Sequence, residues 1–385
     1  MNNTIKLAVA SALLAAASGA QAGIVLPAGD WTVDIGGNMN AYYTNHSSKT
    51  NGVKAVDSNT IGTGLLPSAF GIGAKTRQND LDTSFQFTFF TGSSSGNNTL
   101  GGGAAGNNSL NIRQAFLSFG DASWGSITAG RNLGIFGSDA ILSDMTLLGV
   151  GTGGPAGGSS TLGRIGSGYI YADWKGQVSY TSPNFNGLSF SAGVMENFGP
   201  STLAPVAGND KNMAFEGKVT YDIAGDVSGR IWASALTQKT DVTADPTANY
   251  KSRGFDVGAK VSAAGFGAVA YYYDGKGLDS QSTLLQGLFN GSGERTDDKG
   301  GYAQVTFTVP GAGTKVGASY GESESQSAVA GDFDIKNESW VVGAYHPLTK
   351  HLNLVAEYTD QKVQDREADS TTKNKTISLG AILFF

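Results

Sequence analysis

The chain ends in Ile377-Ser378-Leu379-Gly380-Ala381-Ile382-Leu383-Phe384-Phe385. Ile377, Leu379, Ala381, Leu383 and Phe385 occupy one phase of a two-residue period; Thr376, Ser378 and Gly380 occupy the other. Strand side chains point to opposite faces in turn, so this segment has one apolar and one polar face. The pattern recurs upstream. Leu81, Phe85, Phe87 and Phe89 alternate with Asp82, Ser84, Gln86 and Thr88, and Met213, Phe215, Val219 and Tyr221 with Ala214, Glu216, Lys218 and Thr220. Phe255, Val257, Ala259 and Val261 alternate with Asp256, Gly258, Lys260 and Ser262, and Ala303, Val305, Phe307 and Val309 with Tyr302, Gln304, Thr306 and Thr308.

A soluble sandwich turns such an apolar face inward; a membrane barrel turns it to lipid. Length and loop asymmetry separate the two. The segments run about 9–12 residues, enough for a tilted strand to cross a bilayer, where sandwich strands are more often about five or six. Connections alternate short (Ile223-Ala224-Gly225-Asp226, Ala264-Gly265, Pro347-Leu348-Thr349-Lys350) and long (Ser93 to Ser109, Gly275 to Lys299, Asp365 to Lys373). Barrels of the outer membrane have short periplasmic turns and long external loops. The expected strands are 30–43, 69–79, 81–91, 110–119, 125–131, 174–182, 187–197, 211–222, 226–237, 251–263, 266–274, 299–309, 313–322, 335–346, 351–361 and 375–385. The sum is sixteen, an even number, which puts both chain ends at the short-turn side. In 110–119, Arg113 and Gln114 cannot both face water without a bulge.

The first 22 residues read as an export signal. Lys6 precedes the small, apolar run Leu7 to Gly19, and Ala20-Gln21-Ala22 offers a cleavage site. Cleavage after Ala22 leaves residues 23–385 as one barrel domain. No apolar run in that part approaches the roughly 20 residues of a spanning helix. Composition removes other classes. There is no cysteine, hence no disulfide framework or thiolate metal site. The 56 glycines lack a collagen period, and the net charge of −6 argues against nucleic acid as a partner.

At this point the chain resembles the Gram-negative general porins. The likeness rests on the signal, on Gly125-Ser126-Ile127-Thr128-Ala129-Gly130-Arg131 ahead of a long loop, and on the terminal Phe385. It implies an all-β, sixteen-stranded antiparallel transmembrane barrel in the outer membrane, with its third external loop folded inward. It further implies a homotrimer, contact with outer-membrane lipid and lipopolysaccharide, and recognition of the C-terminal strand by the barrel-assembly machinery. The expected function is passive diffusion of small hydrophilic solutes and ions through a water-filled bore, with selectivity set by the loop. The second long loop, Ser93–Ser109, stands where the family reaches into a neighbouring subunit.

Asp139 and Asp144, in Phe136-Gly137-Ser138-Asp139-Ala140-Ile141-Leu142-Ser143-Asp144, are the expected acidic groups of the constriction. Lys75, Arg77 and Arg113 would face them across the lumen, with Arg131 at the base of the loop. Two loop carboxylates and a mature charge of −7 lean toward mild cation preference; the inward Lys218, Arg230, Lys260 and Lys315 oppose it.

Other functions find less support. Gly149-Val150-Gly151-Thr152-Gly153-Gly154 satisfies a dinucleotide fingerprint but opens no helix. Asp332 and Asp334 lack a calcium-loop context, so no metal or cofactor is expected. His46, His346 and His351 share no site with a nucleophile, so no catalytic residues are assigned and no enzyme activity is expected. A substrate-specific channel for sugars or aromatic acids is the main alternative, with Tyr271, Tyr272 and Tyr273 as a stacking surface. Three successive residues alternate faces, so at least one belongs to the interfacial aromatic girdle. A soluble secreted adhesin is the remaining alternative.

Overall fold

The computed structural model describes residues 23–93, 110–152, 160–196, 212–241, 249–278, 296–331 and 333–385. The export signal, most of Ser93–Ser109, Gly153, Gly154 and Asp332 lie outside the described residues.

The described residues are mostly strand. In order these are β1 (Ile24–Ala28), β2 (Trp31–Thr50), β3 (Val53–Gly62), β4 (Ser68–Gln78), β5 (Leu81–Thr91), β6 (Asn111–Asp121), β7 (Gly125–Leu133), β8 (Trp174–Thr181) and β9 (Leu188–Glu196). Then come β10 (Met213–Ile223), β11 (Val227–Asp241), β12 (Asn249–Ala263), β13 (Phe266–Lys276), β14 (Thr296–Thr308), β15 (Lys315–Ser327), β16 (Asp334–Pro347), β17 (Leu352–Asp365) and β18 (Ser370–Phe384). Sixteen of them, β2 and β4 to β18, form a closed antiparallel barrel.

Closure joins the two ends of the chain. β18 pairs with β2 from Thr372↔Thr50 to Phe384↔Asn38. Phe385 adds two backbone bonds, accepting from Gly37 N at 2.9 Å and donating to Gly37 O at 3.1 Å. Its ring lies on the outward phase and is 37% exposed.

β1 and β3 were not expected from the pattern. β1 pairs with the first residues of β2, Ile24↔Ile35 to Ala28↔Trp31. β3 pairs with the far half of β2, and β4 takes the near half. Segments 69–79, 110–119 and 125–131 are strands as expected. The bulge also appears: pairing steps from Thr88↔Gln114 to Phe89↔Ile112, so Arg113 has no cross-strand partner. Arg113 and Gln114 are consequently both buried.

Several strands extend past their expected ends on the long-loop side, β2 to Thr50, β15 to Ser327 and β17 to Asp365. Beyond the apolar band both faces are wet. Alternation then stops, although the hydrogen-bond ladder continues. At the short-turn end the turns are tight. Asn79-Asp80 has φ of 50° and 60° and Ala264-Gly265 of 49° and 83°. Positive φ at both central residues marks the type I′ hairpin.

The apolar phase points away from the axis. Ile377, Leu379, Phe255, Val305, Phe266 and Trp340 are all exposed, Phe266 at 63%. The polar phase, including Thr376, Ser378, Gln304 and Ser319, is buried inside. A soluble β-protein would invert this arrangement. Tyr272 is exposed on the outer phase while Tyr271 and Tyr273 are buried inside, so the three tyrosines split as alternation requires.

Candidate functional site: a loop seated against the inner wall

Of the segment between β7 and β8, residues 134–152 and 160–173 run along the inside of the barrel. The segment carries the short helix α1 (Ser138–Ser143) and a 3-10 turn at Met145–Leu148. Ordinary loops avoid burial because their backbone groups need partners. Here the wall supplies them. Glu216 of β10 accepts from Ile135 N at 2.7 Å and Phe136 N at 2.8 Å. Asp256 of β12 accepts from Gly137 N at 3.1 Å. Glu357 of β17 accepts from Val150 N and Gly151 N, both at 2.8 Å. Gln304 accepts from Met145 N at 2.7 Å, and the Tyr302 hydroxyl donates to Ala140 O at 2.8 Å.

The return limb is tied by Arg164, which is fully buried. Its guanidinium donates to Ser339 Oγ at 3.0 Å and to the Ser319 carbonyl. Hydrogen bonds to charged groups are worth about 1.5–3 kcal/mol each, so these contacts hold the loop collectively. Apolar packing adds to them. Phe136, Ile141, Met145, Leu147, Leu148 and Ile170 belong to one buried cluster with wall residues Trp232, Tyr271, Tyr302 and Tyr345. Wall glycine permits the close approach. A Cβ at Gly258 would lie 2.2 Å from the Trp232 ring, and one at Gly321 2.5 Å from Ser167 O.

The two expected loop carboxylates have different surroundings. Asp139 sits on α1 and bridges Lys218 Nζ at 2.6 Å and Arg230 at 3.1 Å. Burial works against its charge, but the two cations outweigh burial and hold its carboxyl below the ordinary carboxylate range. Asp144 faces its own loop: it accepts from Thr146 N and Thr146 Oγ1 at 2.9 and 2.7 Å, and from the Tyr169 hydroxyl at 2.8 Å. It forms no ion pair among the described residues and is only 4% exposed.

The basic residues are scattered. Lys75 alternates with the wall in the phase of Gly71 and Gly73, whose missing side chains leave room for Gln86 on the lumen side. It is exposed. Arg77 lies at the short-turn rim and pairs with Asp82 and Asp121, each at 2.8 Å, instead of facing the loop. Arg113 is buried in the wall at the bulge, its guanidinium 5.0 Å from the centre of the Phe90 ring. Arg131 corrects an expectation. Its neighbour Asn132 takes the inward phase, bonding Gln114, so Arg131 shares the outward phase with Ile127 and Ala129. The bulge accounts for Arg113; alternation accounts for Arg131.

Lys218, Arg230, Lys260 and Lys315 do face inward. Arg230 also forks Asp222 at 2.6 and 2.9 Å. Sequence reading missed the tethering role of Glu216, Asp256 and Glu357. The first two stood on the polar phase of their strands, but nothing local showed that loop amides were their partners. Glu216 also pairs with Lys175, both side chains almost fully buried. The histidines lie apart: His46 Nδ1 meets Thr376 Oγ1 at 3.0 Å, and His346 Nδ1 meets Thr314 Oγ1 at 2.8 Å, near a short turn. Among the described residues no group of three or more His, Asp or Glu could hold a metal, and no helix is long and apolar enough to cross a membrane.

Known proteins resemble this arrangement. A family model described as Gram-negative porin matches residues 8–366. No curated protein matches the chain. Among solved structures, the outer membrane channel DcaP of Acinetobacter baumannii aligns with TM-score 0.66 at 16% identity, covering 94% of this chain and 100% of its own. The anion-selective porin from Comamonas acidovorans aligns at 0.62 and 16%, covering 92% and 100%. OmpF of Salmonella typhi, in complex with daunomycin, aligns at 0.60 and 17%, covering 94% and 100%.

Proposed function

The chain belongs to the Gram-negative porin family and is an outer-membrane channel; we propose that it passes small hydrophilic solutes and ions by passive diffusion, with residues 134–152 and 160–173 forming its narrowest section. One observation carries this reading: the loop lies inside a closed wall of polar inward side chains, tethered by Glu216, Asp256 and Glu357. A lumen bounded by sixteen strands is too wide for side chains to fill, so an inserted loop sets the bore and the charges a solute meets.

The charge pattern favours anions. Asp139 is neutralised by Lys218 and Arg230, and Asp144 is turned into the loop. Lys75, Lys260 and Lys315 form no ion pair among the described residues. This replaces the mild cation preference expected from net charge. The likeness to an anion-selective porin points the same way. A specific channel that stacks its solute on Tyr271 and Tyr273 is disfavoured, because both rings are buried.

We further propose cleavage after Ala22 and assembly as a homotrimer. Arg131 supports the latter: an outward arginine is disfavoured against lipid, by an amount that depends on its depth, and a neighbouring subunit removes that contact. Lipopolysaccharide and the barrel-assembly machinery remain proposed partners of the outer face and the last strand. Purified protein added to a planar bilayer should insert in ohmic steps grouped in threes, with conductance rising with salt. A bilayer that stays silent would overturn the channel reading, and single steps would overturn the trimer.

A further inference from the structure

We propose that the lumen wall carries an oxyanion subsite on β10, β11 and β12, where Lys260, Arg230 and Lys218 receive a carboxylate or phosphate group of a passing solute. The proposal rests on the channel reading above and extends it from a charge preference to a saturable site.

The register creates the site. Arg230 on β11 stands directly opposite Lys260 on β12. Both face inward, and like charges directly opposed on one sheet face repel. Lys218, on the other flank of β11, reaches the same zone because its ammonium and the Arg230 guanidinium share Asp139. Three cations thus meet Asp139 and Asp222, with Asp256, engaged by Gly137 N, Ser234 and Tyr271, near Lys218. Asp222 is occupied by the fork of Arg230. Lys260, only partly exposed, forms no ion pair among the described residues. Asp139 and Asp222 lie near enough to offset part of the repulsion at Lys260, but neither pairs with it, and an arriving anion relieves the rest.

The neighbouring groups suit an oxyanion. Ser262 lies two residues along β12, and Gly267 of β13 faces it in register. A Cβ on Gly267 would sit 2.6 Å from Thr306 Oγ1 and 3.8 Å from Ser262 Oγ. Glycine thus makes room for the Thr306 hydroxyl, which with that of Ser262 stands on the same inner face as the lysine. Asp139 shows how an anion docks here: its oxygens take Lys218 Nζ at 2.6 Å and Arg230 at 3.1 Å, and Ser138 Oγ accepts from the same ammonium at 2.9 Å. With the Arg230 fork held by Asp222, the oxyanion takes the Lys260 ammonium together with the Arg230 and Lys218 contacts that Asp139 occupies, a pattern that matches a group bearing two or more acidic oxygens better than it matches chloride. Asp139, carried on the loop, competes for the same cations as the solute.

The test is the single-channel chloride current at pH 7 with inorganic phosphate or succinate added to both sides. Saturable reduction of the current by either probe is the expected result; phosphate alone assigns a tetrahedral group and succinate alone a carboxylate. Lys260→Gln should weaken the block about tenfold, the loss of one charge-assisted contact. Asp139→Asn should strengthen it by freeing Lys218 and Arg230. Lys336→Gln, on the outer face, should leave it unchanged. Heat-dependent gel mobility checks that each variant barrel is folded. No saturable block by either probe, or an equal block in Lys260→Gln, would overturn the subsite. In that case a reversal potential that still reports anion preference would leave the channel reading standing, whereas loss of both would remove the two together.

Discussion

Two zones of the lumen use charge in opposite ways. Near the loop, the carboxylates of Glu216, Asp256 and Glu357 are buried and bound to backbone amides. Beside α1, on β10 to β12, the partly exposed groups Lys218, Arg230 and Lys260 are cations. The first zone spends negative charge on holding a segment in place, and the second leaves positive charge facing water. The sign of the net charge, −6, thus does not report the charge at a given place in the bore, because several of its acids are buried as tethers.

The largest expected effect comes from breaking the tethering zone. Glu357→Ala strands the amides of Val150 and Gly151 and the Tyr345 hydroxyl. Each unsatisfied group costs about 1–3 kcal/mol. The loop should loosen, and single-channel conductance should rise with added current noise. Glu357→Gln keeps a carbonyl acceptor and should do less. Unchanged conductance in the alanine variant would show that the carboxylate does not hold the loop.

Next is the packing beneath the same loop. Gly258→Ala places a methyl against Trp232. Overpacking of this kind costs about 1–3 kcal/mol, so thermal unfolding in detergent should shift downward. An unshifted transition would mean that Trp232 moves freely.

Asp139→Asn tests the boundary between the zones. It frees two cations and should raise anion preference while conductance changes modestly. The pH dependence follows from the same pair. The folded carboxyl titrates below the unfolded one, near pH 4. The stabilisation contributed by the tether is present above that unfolded value and is lost as pH falls through the lower folded one. The difference in ion preference between the natural chain and Asp139→Asn should be constant from pH 7 to 5 and shrink only in stronger acid; a difference that vanishes near pH 6 would contradict the pairing. The smallest effect belongs to the outer face. Lys336 meets Glu322 at 3.0 Å in an exposed network, where an ion pair is worth under about 1 kcal/mol, so Lys336→Ala should alter neither melting nor current.

Much of the fold was legible because lipid imposes period two. Phe255, Val305 and Ile377 had to share a face, and Arg113-Gln114 had to break the ladder; both appear. Strand ends beyond the apolar band were hidden, since residues such as Ser323 and Ser325 carry no hydrophobic signal. The site was less legible. Asp139 was singled out by its loop, and its pairing with Lys218 and Arg230 joins residues 79 and 91 positions apart. Asp144 looked equivalent in sequence, yet the hydroxyl of Tyr169 turns it inward on the loop. Arg131 was placed in the lumen by its position before the loop, where simple alternation from Thr128 and Asn132 puts it outside. The abundant glycine had a local reading only at turns; at Gly258 its reason is the ring of Trp232 on the paired strand, and at Gly321 a loop residue, Ser167, more than 150 positions away in sequence.

Reversal potential across a bilayer holding the purified protein in a tenfold potassium chloride gradient probes the positive lumen most directly. Cations left facing water predict a zero-current voltage of the sign set by chloride, reduced when Lys75, Lys260 and Lys315 are replaced by glutamine. A voltage of the sign set by potassium would contradict it.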